Sequence, residues 1–191
     1  MMNRKIARRL SLAALALLPL ATAGCFIEFL STITEELTGN VSVVFINNTS
    51  ARASLTFGSY DPLQLDPPAA ANVQQTRIEA NTTSQTFSVV CRRTVAIATQ
   101  DLVDRVVLTN GDDAAGFDRE AFNAEVNFSN APADSDAAAL PTVGIALGRE
   151  VRVGVDYKCG DQLIFTFVQD AEADGGFRID FSVIPAEPED N

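Results

Sequence analysis

The residues of this chain that are equipped for chemistry are carboxylates, and they stand without imidazole. Asp and Glu number 25, Lys and Arg 14, and His is absent. Without His there is no Ser-His-Asp or Cys-His nucleophile, no His-ligated zinc and no imidazole general base. Two acidic stretches carry the clustered oxygens that a hard cation wants. One is NGDDAAGFD at 110–118, whose Asp112, Asp113 and Asp118 are candidate calcium ligands; the other holds Asp170, Glu172 and Asp174. Neither has EF-hand spacing, and a solvated loop in an acidic protein is the competing reading of both. Paired carboxylates can also serve a glycosidase, but among 25 acids some pair falls close by chance. With no Trp, a sugar-stacking surface is reduced to Tyr60, Tyr157 and Phe. Tyr157 alternates with core positions, and Tyr60, in GSYDP at 58–62, reads as a loop cap or a partner contact. Arg92-Arg93 is the densest positive spot outside the first ten residues. Adjacent strand residues point to opposite faces, so salt bridges to neighbouring acids are the plainer use of the two arginines. No phosphate-binding loop, dinucleotide fingerprint, metal-ligand Cys spacing or nucleophile elbow is present.

The formal net charge of −11 excludes another class. A nucleic-acid binder neutralises phosphates with Lys and Arg, so nucleic acid is not an expected partner. At 47% hydrophobic residues, 191 residues are enough to fill the core of one domain.

Residues 1–25 form a distinct block. Arg4, Lys5, Arg8 and Arg9 give a basic start with no acid. An apolar run from Leu10 to Ala21, interrupted by Pro19, follows, and then Thr22, Ala23, Gly24 and Cys25. Charged, apolar and small-residue regions in that order are the three parts of a secretory signal. The run is short of the ~20 residues that a helix needs to cross hydrocarbon. The stretch ATAGC resembles the lipobox of a bacterial lipoprotein signal: Ala23, Gly24 and Cys25 match it, and Thr22 stands where Leu is usual. The resemblance covers residues 1–25 only. It implies removal of 1–24 as a signal peptide, acylation of Cys25 and a place in the bacterial cell envelope, facing periplasm or exterior. Arg8-Arg9-Leu10-Ser11-Leu12 also resembles a twin-arginine export signal, with poorly matching flanks. Cleavage before Cys25 removes four cations and no acid, leaving 10 cations against 25 acids, a net charge of −15. Anionic headgroups repel so acidic a body, so attachment falls to the acyl chains, at ~0.8 kcal/mol per buried methylene.

Export bears on the cysteines. With Cys25 acylated, Cys91 and Cys159 remain, and an even remainder in an exported protein points to a disulfide. Closing that loop would contribute about 4 kcal/mol on the chain-entropy model.

The elements that carry these residues read mostly as strands. Residues 25–40, with Phe26, Phe29, Leu30, Ile33 and Leu37 at helical spacing, are a lipidated start followed by either a tether or a short amphipathic helix. From Val41 the period is two. Val41–Ile46 and Arg52–Phe57 flank Asn47-Asn48-Thr49-Ser50 as a hairpin. Runs at 73–80, 84–91, 94–99 and 103–109 read as further strands, and 110–142 as an irregular insertion in which Phe122, Val126 and Phe128 are a strand or a helical turn. Val151, Val153, Val155 and Tyr157, then Leu163, Phe165 and Phe167, then Phe177, Ile179, Phe181 and Val183 predict a three-stranded meander with one core-facing side. Lys158-Cys159-Gly160-Asp161 is a turn within it, and 185–191 a disordered tail. About nine or ten short strands with no long helix predict an all-β domain over 41–184: an antiparallel β-sandwich, immunoglobulin-like or jelly-roll-like.

The expected function is a non-enzymatic, lipid-anchored envelope protein acting as a surface interaction or structural module. Its partners would be the membrane, through the acyl anchor, and an envelope protein or polymer. The alternatives are a small-ligand or carbohydrate-binding module, with calcium as its only expected cofactor, and, more remotely, a hydrolase using carboxylates alone.

Overall fold

Alternating apolar side chains from Val41 onward divide the chain between two sheets. The computed structural model describes residues 37–63, 73–110, 124–130 and 142–187. The expected signal at 1–24, Cys25, the expected tether or helix as far as residue 36, Asp112, Asp113, Asp118, Phe122 and residues 188–191 of the expected tail lie outside them. The five-stranded first sheet contains β1 (Asn40–Asn47), β4 (Thr82–Thr83), β5 (Phe87–Val90), β10 (Gln162–Gln169) and β11 (Phe177–Ile184), in the order β11-β10-β1, with β4 and β5 along the other edge of β1. The six-stranded second sheet contains β2 (Arg52–Tyr60), β3 (Val73–Ile78), β6 (Thr94–Ile97), β7 (Glu125–Ser129), β8 (Thr142–Leu147) and β9 (Arg149–Arg152). Strands dominate the described residues, as the period-two pattern predicts.

Inward-facing residues of both sheets share one apolar cluster. Phe45 of β1 meets Phe57 of β2 edge to face at 4.9 Å, and Phe128 of β7 stacks on Phe177 of β11 at 3.9 Å. Such ring pairs add ~0.5–1.5 kcal/mol beyond the area they bury. The Phe128–Phe177 stack needs Gly144 in β8, where a Cβ would lie 2.3 Å from the Phe177 ring. Near that point the two sheets touch, the Ile145 N–H donating to the Gly175 carbonyl at 3.0 Å.

Four expectations are corrected. The β1–β2 pair is not a hairpin: its strands lie in different sheets, joined by an arch over 48–51. The Asn47 amide holds this arch. Its Nδ2 donates to the carbonyls of Ala51, Ile78 and Glu79 at 2.8, 3.0 and 3.1 Å, and its Oδ1 accepts from the Thr49 N–H and hydroxyl. A buried side chain thus satisfies backbone groups that the change of sheet strands, groups a hairpin would satisfy by cross-strand pairing.

Second, the pairing is not wholly antiparallel. β1 runs parallel to β10, Ser42 opposite Gln162 through Asn47 opposite Phe167. A parallel neighbour requires a long crossover, and the whole second sheet lies in that connection.

Third, the run 103–109 belongs to a helix, α1 (Gln100–Asn110). Its β-branched content argues for a strand. However, Thr99 caps the helix, its Oγ1 accepting from the Leu102 N–H at 3.4 Å, and Asp101 occupies the first turn. Leu102 and Val106, four residues apart, bury against Tyr60, Val73 and Ala96, so packing overrides propensity.

Fourth, the C-terminal meander is broken. β10 and β11 pair throughout, but β9 pairs with β6 in the second sheet. At Gly154 (φ +77°) the chain turns, with Val155 and Asp156 both donating their N–H groups to the Arg152 carbonyl. Tyr157 therefore returns to the core while Val155, expected beside it, is 81% exposed.

Candidate functional site

The richest convergence of polar and sulfur chemistry lies at the end of the body where the chain enters β1. The chain passes from the first sheet to the second at 91–93 and back at 158–161, and Cys91 and Cys159 join these two crossovers in a disulfide. Their Cα atoms lie 5.6 Å apart across 68 residues of sequence. The expected pairing is present, tying crossover to crossover. The same segments are stitched again by hydrogen bonds. The Tyr157 hydroxyl donates to the Arg92 carbonyl at 2.7 Å, and the Val153 N–H to the Arg93 carbonyl at 3.0 Å. Arg92 and Arg93 lie in this crossover rather than in a strand, and Arg93 Nε pairs with Asp61 at 3.2 Å.

Asp161 completes this end. Buried in the second crossover, it accepts from the Lys158 N–H at 2.7 Å and from the Ala186 N–H at 2.9 Å, and its carbonyl takes the Ser42 N–H at 3.1 Å. The Cys91 N–H donates to the Gly39 carbonyl and the Gly160 N–H to the Asn40 carbonyl, both at 2.9 Å. Asp161, one disulfide and these backbone bonds thus hold together the first strand, both crossovers and the residues after β11.

The two tyrosines are structural. Tyr60, the last residue of β2, is buried; its hydroxyl donates to Glu150 Oε1 at 2.6 Å, and the Arg105 guanidinium lies 4.6 Å from its ring centre. Burial first, and then the bond to Glu150, pushes its hydroxyl well above the ordinary tyrosine range. Tyr157 is raised likewise, by burial and then by the charge of Asp156.

The acidic turn after β10 uses its carboxylates to build itself. Asp170 accepts from the Glu172 N–H at 3.0 Å and pairs with Arg178 at 3.0 Å. The backbone bond first, then Arg178, hold its carboxyl below the usual carboxylate range. Among the described residues no group of three or more His, Cys, Asp or Glu side chains is arranged to hold a metal. The calcium candidates Asp112, Asp113 and Asp118, like Cys25, lie outside those residues.

Beside this turn a groove of about 300 Å³ is lined by Leu147, Arg149, Ala173, Asp174, Phe177 and Ile179. Its guanidiniums are committed: Arg149 donates to the Ile179 carbonyl at 3.0 Å, and Arg178 bonds Asp170 and Asp180. The groove presents neither a thiol nor a paired acid and base.

Sequence reasoning missed Asn47, Asp161 and the protrusion of Val155. The signal for Asn47 was available: Asn two residues before Thr is an Asx-turn pattern. For Asp161, whose partners are 25 residues away at Ala186 and beside it at Lys158, only the short-range half was open to inspection. No protein-family model matches the chain, and no curated protein matches it in sequence.

Proposed function

We propose that this chain is a lipid-anchored protein of the bacterial cell envelope. Its two sheets form a β-sandwich that acts, without catalysis, as a surface interaction or structural module. The observation that carries this reading is the order of residues ending at Cys25: four cations, an apolar run broken by Pro19, then Ala23-Gly24-Cys25. The Cys91–Cys159 bridge supports it, because such bonds persist in oxidising compartments outside the cytosol. The sandwich supports it too: the sheets share one core, and the reactive-looking groups at the entry end are spent on holding the two crossovers together.

The test is the mass and location of the mature protein. The Cys25→Ser variant is expected to lose the added acyl mass and to leave the membrane fraction. Recovery of the unaltered chain with its first methionine and a free thiol at position 25 overturns the reading.

A further inference from the structure

Exposed apolar side chains are distributed unevenly over the body. Six large ones are exposed among the described residues: Leu63, Val90, Val143, Leu147, Val155 and Ile184. Single exposed hydrophobics are ordinary on a soluble surface, so their position is what matters. Four of the six lie at the end where the chain enters. Val90 stands opposite Asn40, and Ile184 opposite Gln162 at the start of β10. Arg152, which begins the Val155 turn, pairs with Thr94, and Thr94 with Tyr60 three residues before Leu63.

Val155 projects furthest, at 81% exposure, from a turn that is firmly fixed. The Gly154 N–H donates to the Tyr157 carbonyl at 2.8 Å, and the Arg152 N–H to Asp156 Oδ2 at 2.8 Å. Arg152 and Lys158 flank it with exposed side chains, and neither forms a salt bridge among the described residues. Nearby carboxylates are mostly engaged within the body: Asp61 with Arg93, Glu150 with Tyr60, Asp156 with the Arg152 N–H, and Asp161 with Lys158 and Ala186. Asp156 stays exposed beside Val155 despite that bond, and Glu187 and Asp101, whose charge reaches Tyr60, are exposed as well. Apolar tips flanked by outward cations suit the boundary of a bilayer, where aliphatic groups enter the headgroup layer and cations meet phosphate. Chain connectivity adds to this. Residues 26–39 are all that separate Cys25 from β1, and fourteen residues span at most about 50 Å.

We propose that the body rests on the lipid surface through this end, with Val155 at the headgroup layer, so that the arch at 48–51 faces away from the membrane. The inference rests on the Cys25 anchor proposed above and adds a second contact and an orientation.

The absence of Trp provides the test. Val155→Trp and, separately, Leu147→Trp are made in the mature lipidated protein and placed in phosphatidylcholine vesicles, with and without phosphatidylglycerol. Indole emission is read against brominated acyl chains and aqueous acrylamide. The indole at 155 is expected to shift to shorter wavelength and be quenched by bromolipid, whereas that at 147 stays open to acrylamide. Vesicle-bound protein whose position-155 indole remains fully exposed to water overturns the docking and leaves the anchor standing. Equal shielding at both positions overturns the orientation. Protein that does not bind vesicles at all removes the anchor, and this inference with it.

Discussion

The two ends of the body are closed by different means. At the entry end, a tyrosine hydroxyl and a disulfide tie segments that are 65 and 68 residues apart in sequence, and a buried carboxylate ties in Ala186, 25 residues on. At the far end, the arch between the sheets depends on the amide of one asparagine and on the Thr49 hydroxyl, which donates to Asn47 Oδ1 and accepts from the Ala51 N–H. The entry end is fastened covalently across 68 residues of sequence, and the far end by hydrogen bonds alone, which reach from 2 to 32 residues.

Removing the disulfide tests that contrast most severely. The double Cys91→Ser, Cys159→Ser variant is expected to lose about 4 kcal/mol in urea unfolding, the loop between its cysteines being 68 residues. The far end should remain ordered, with Asn47 Nδ2 protected from hydrogen exchange until global unfolding. Loss of protection at both ends together would show one cooperative unit and erase the distinction.

Asn47→Ala is the matching cut at the other end. It leaves the carbonyls of Ile78 and Glu79 without the Asn47 amide, in a site where the asparagine itself is wholly buried. The expected cost is about 2–3 kcal/mol by chemical denaturation, with the disulfide still formed in a thiol count. A cost below about 0.5 kcal/mol would mean that water replaces the amide and that the arch is held by the sheets alone.

What was legible in the sequence follows the range of the interaction. Leu163, Phe165 and Phe167 alternate, as do Phe177 and Ile179, and all five are buried on paired strands, because strand period and burial are local properties. Cys91 and Cys159 were legible through redox compartment and parity rather than position. Sheet membership was not legible: Val41–Ile46 and Arg52–Phe57 look like the arms of a hairpin, and only the three carbonyls gathered by Asn47 separate them. Nor was the parallel partner of β1, more than a hundred residues downstream. Val103–Thr109 misled because β-branched residues favour strands, while the cap at Thr99 and burial of Leu102 and Val106 decided for helix. In the candidate site, Val155 kept the period of its neighbours on paper and lost it at the Gly154 turn.

Titration sharpens the comparison with smaller effects. The chain's two tyrosines both lie toward the entry end, and both have raised pKa values, so each stabilises the fold fully below the ordinary tyrosine value of ~10 and loses that contribution as pH rises toward its folded value. Tyrosinate absorbance is therefore expected to stay silent through pH 10 in the folded protein and to appear together with unfolding. Tyr157→Phe should cost about 1 kcal/mol at neutral pH, from the Arg92 carbonyl left without its donor, and should flatten the alkaline decline. A tyrosinate signal rising smoothly near pH 10 in folded protein would place both hydroxyls in water.

The far end has the opposite sign and the smallest effect. Asp170, in the turn between β10 and β11, has its carboxyl held below the usual range by the Glu172 N–H and Arg178. Its contribution is thus present above the ordinary carboxylate value and is lost as pH falls through the lower, folded one. The group is exposed to solvent, so screening keeps the effect slight and salt-sensitive. Asp170→Asn is expected to lower the melting temperature a little at pH 7, and by less and less as the pH falls through the range in which the Asp170 carboxylate takes up its proton. A difference that stayed constant as the pH was lowered into strong acid would assign the role of Asp170 to the neutral geometry of the turn, as with Asn47, and both far-end fastenings would then be independent of charge.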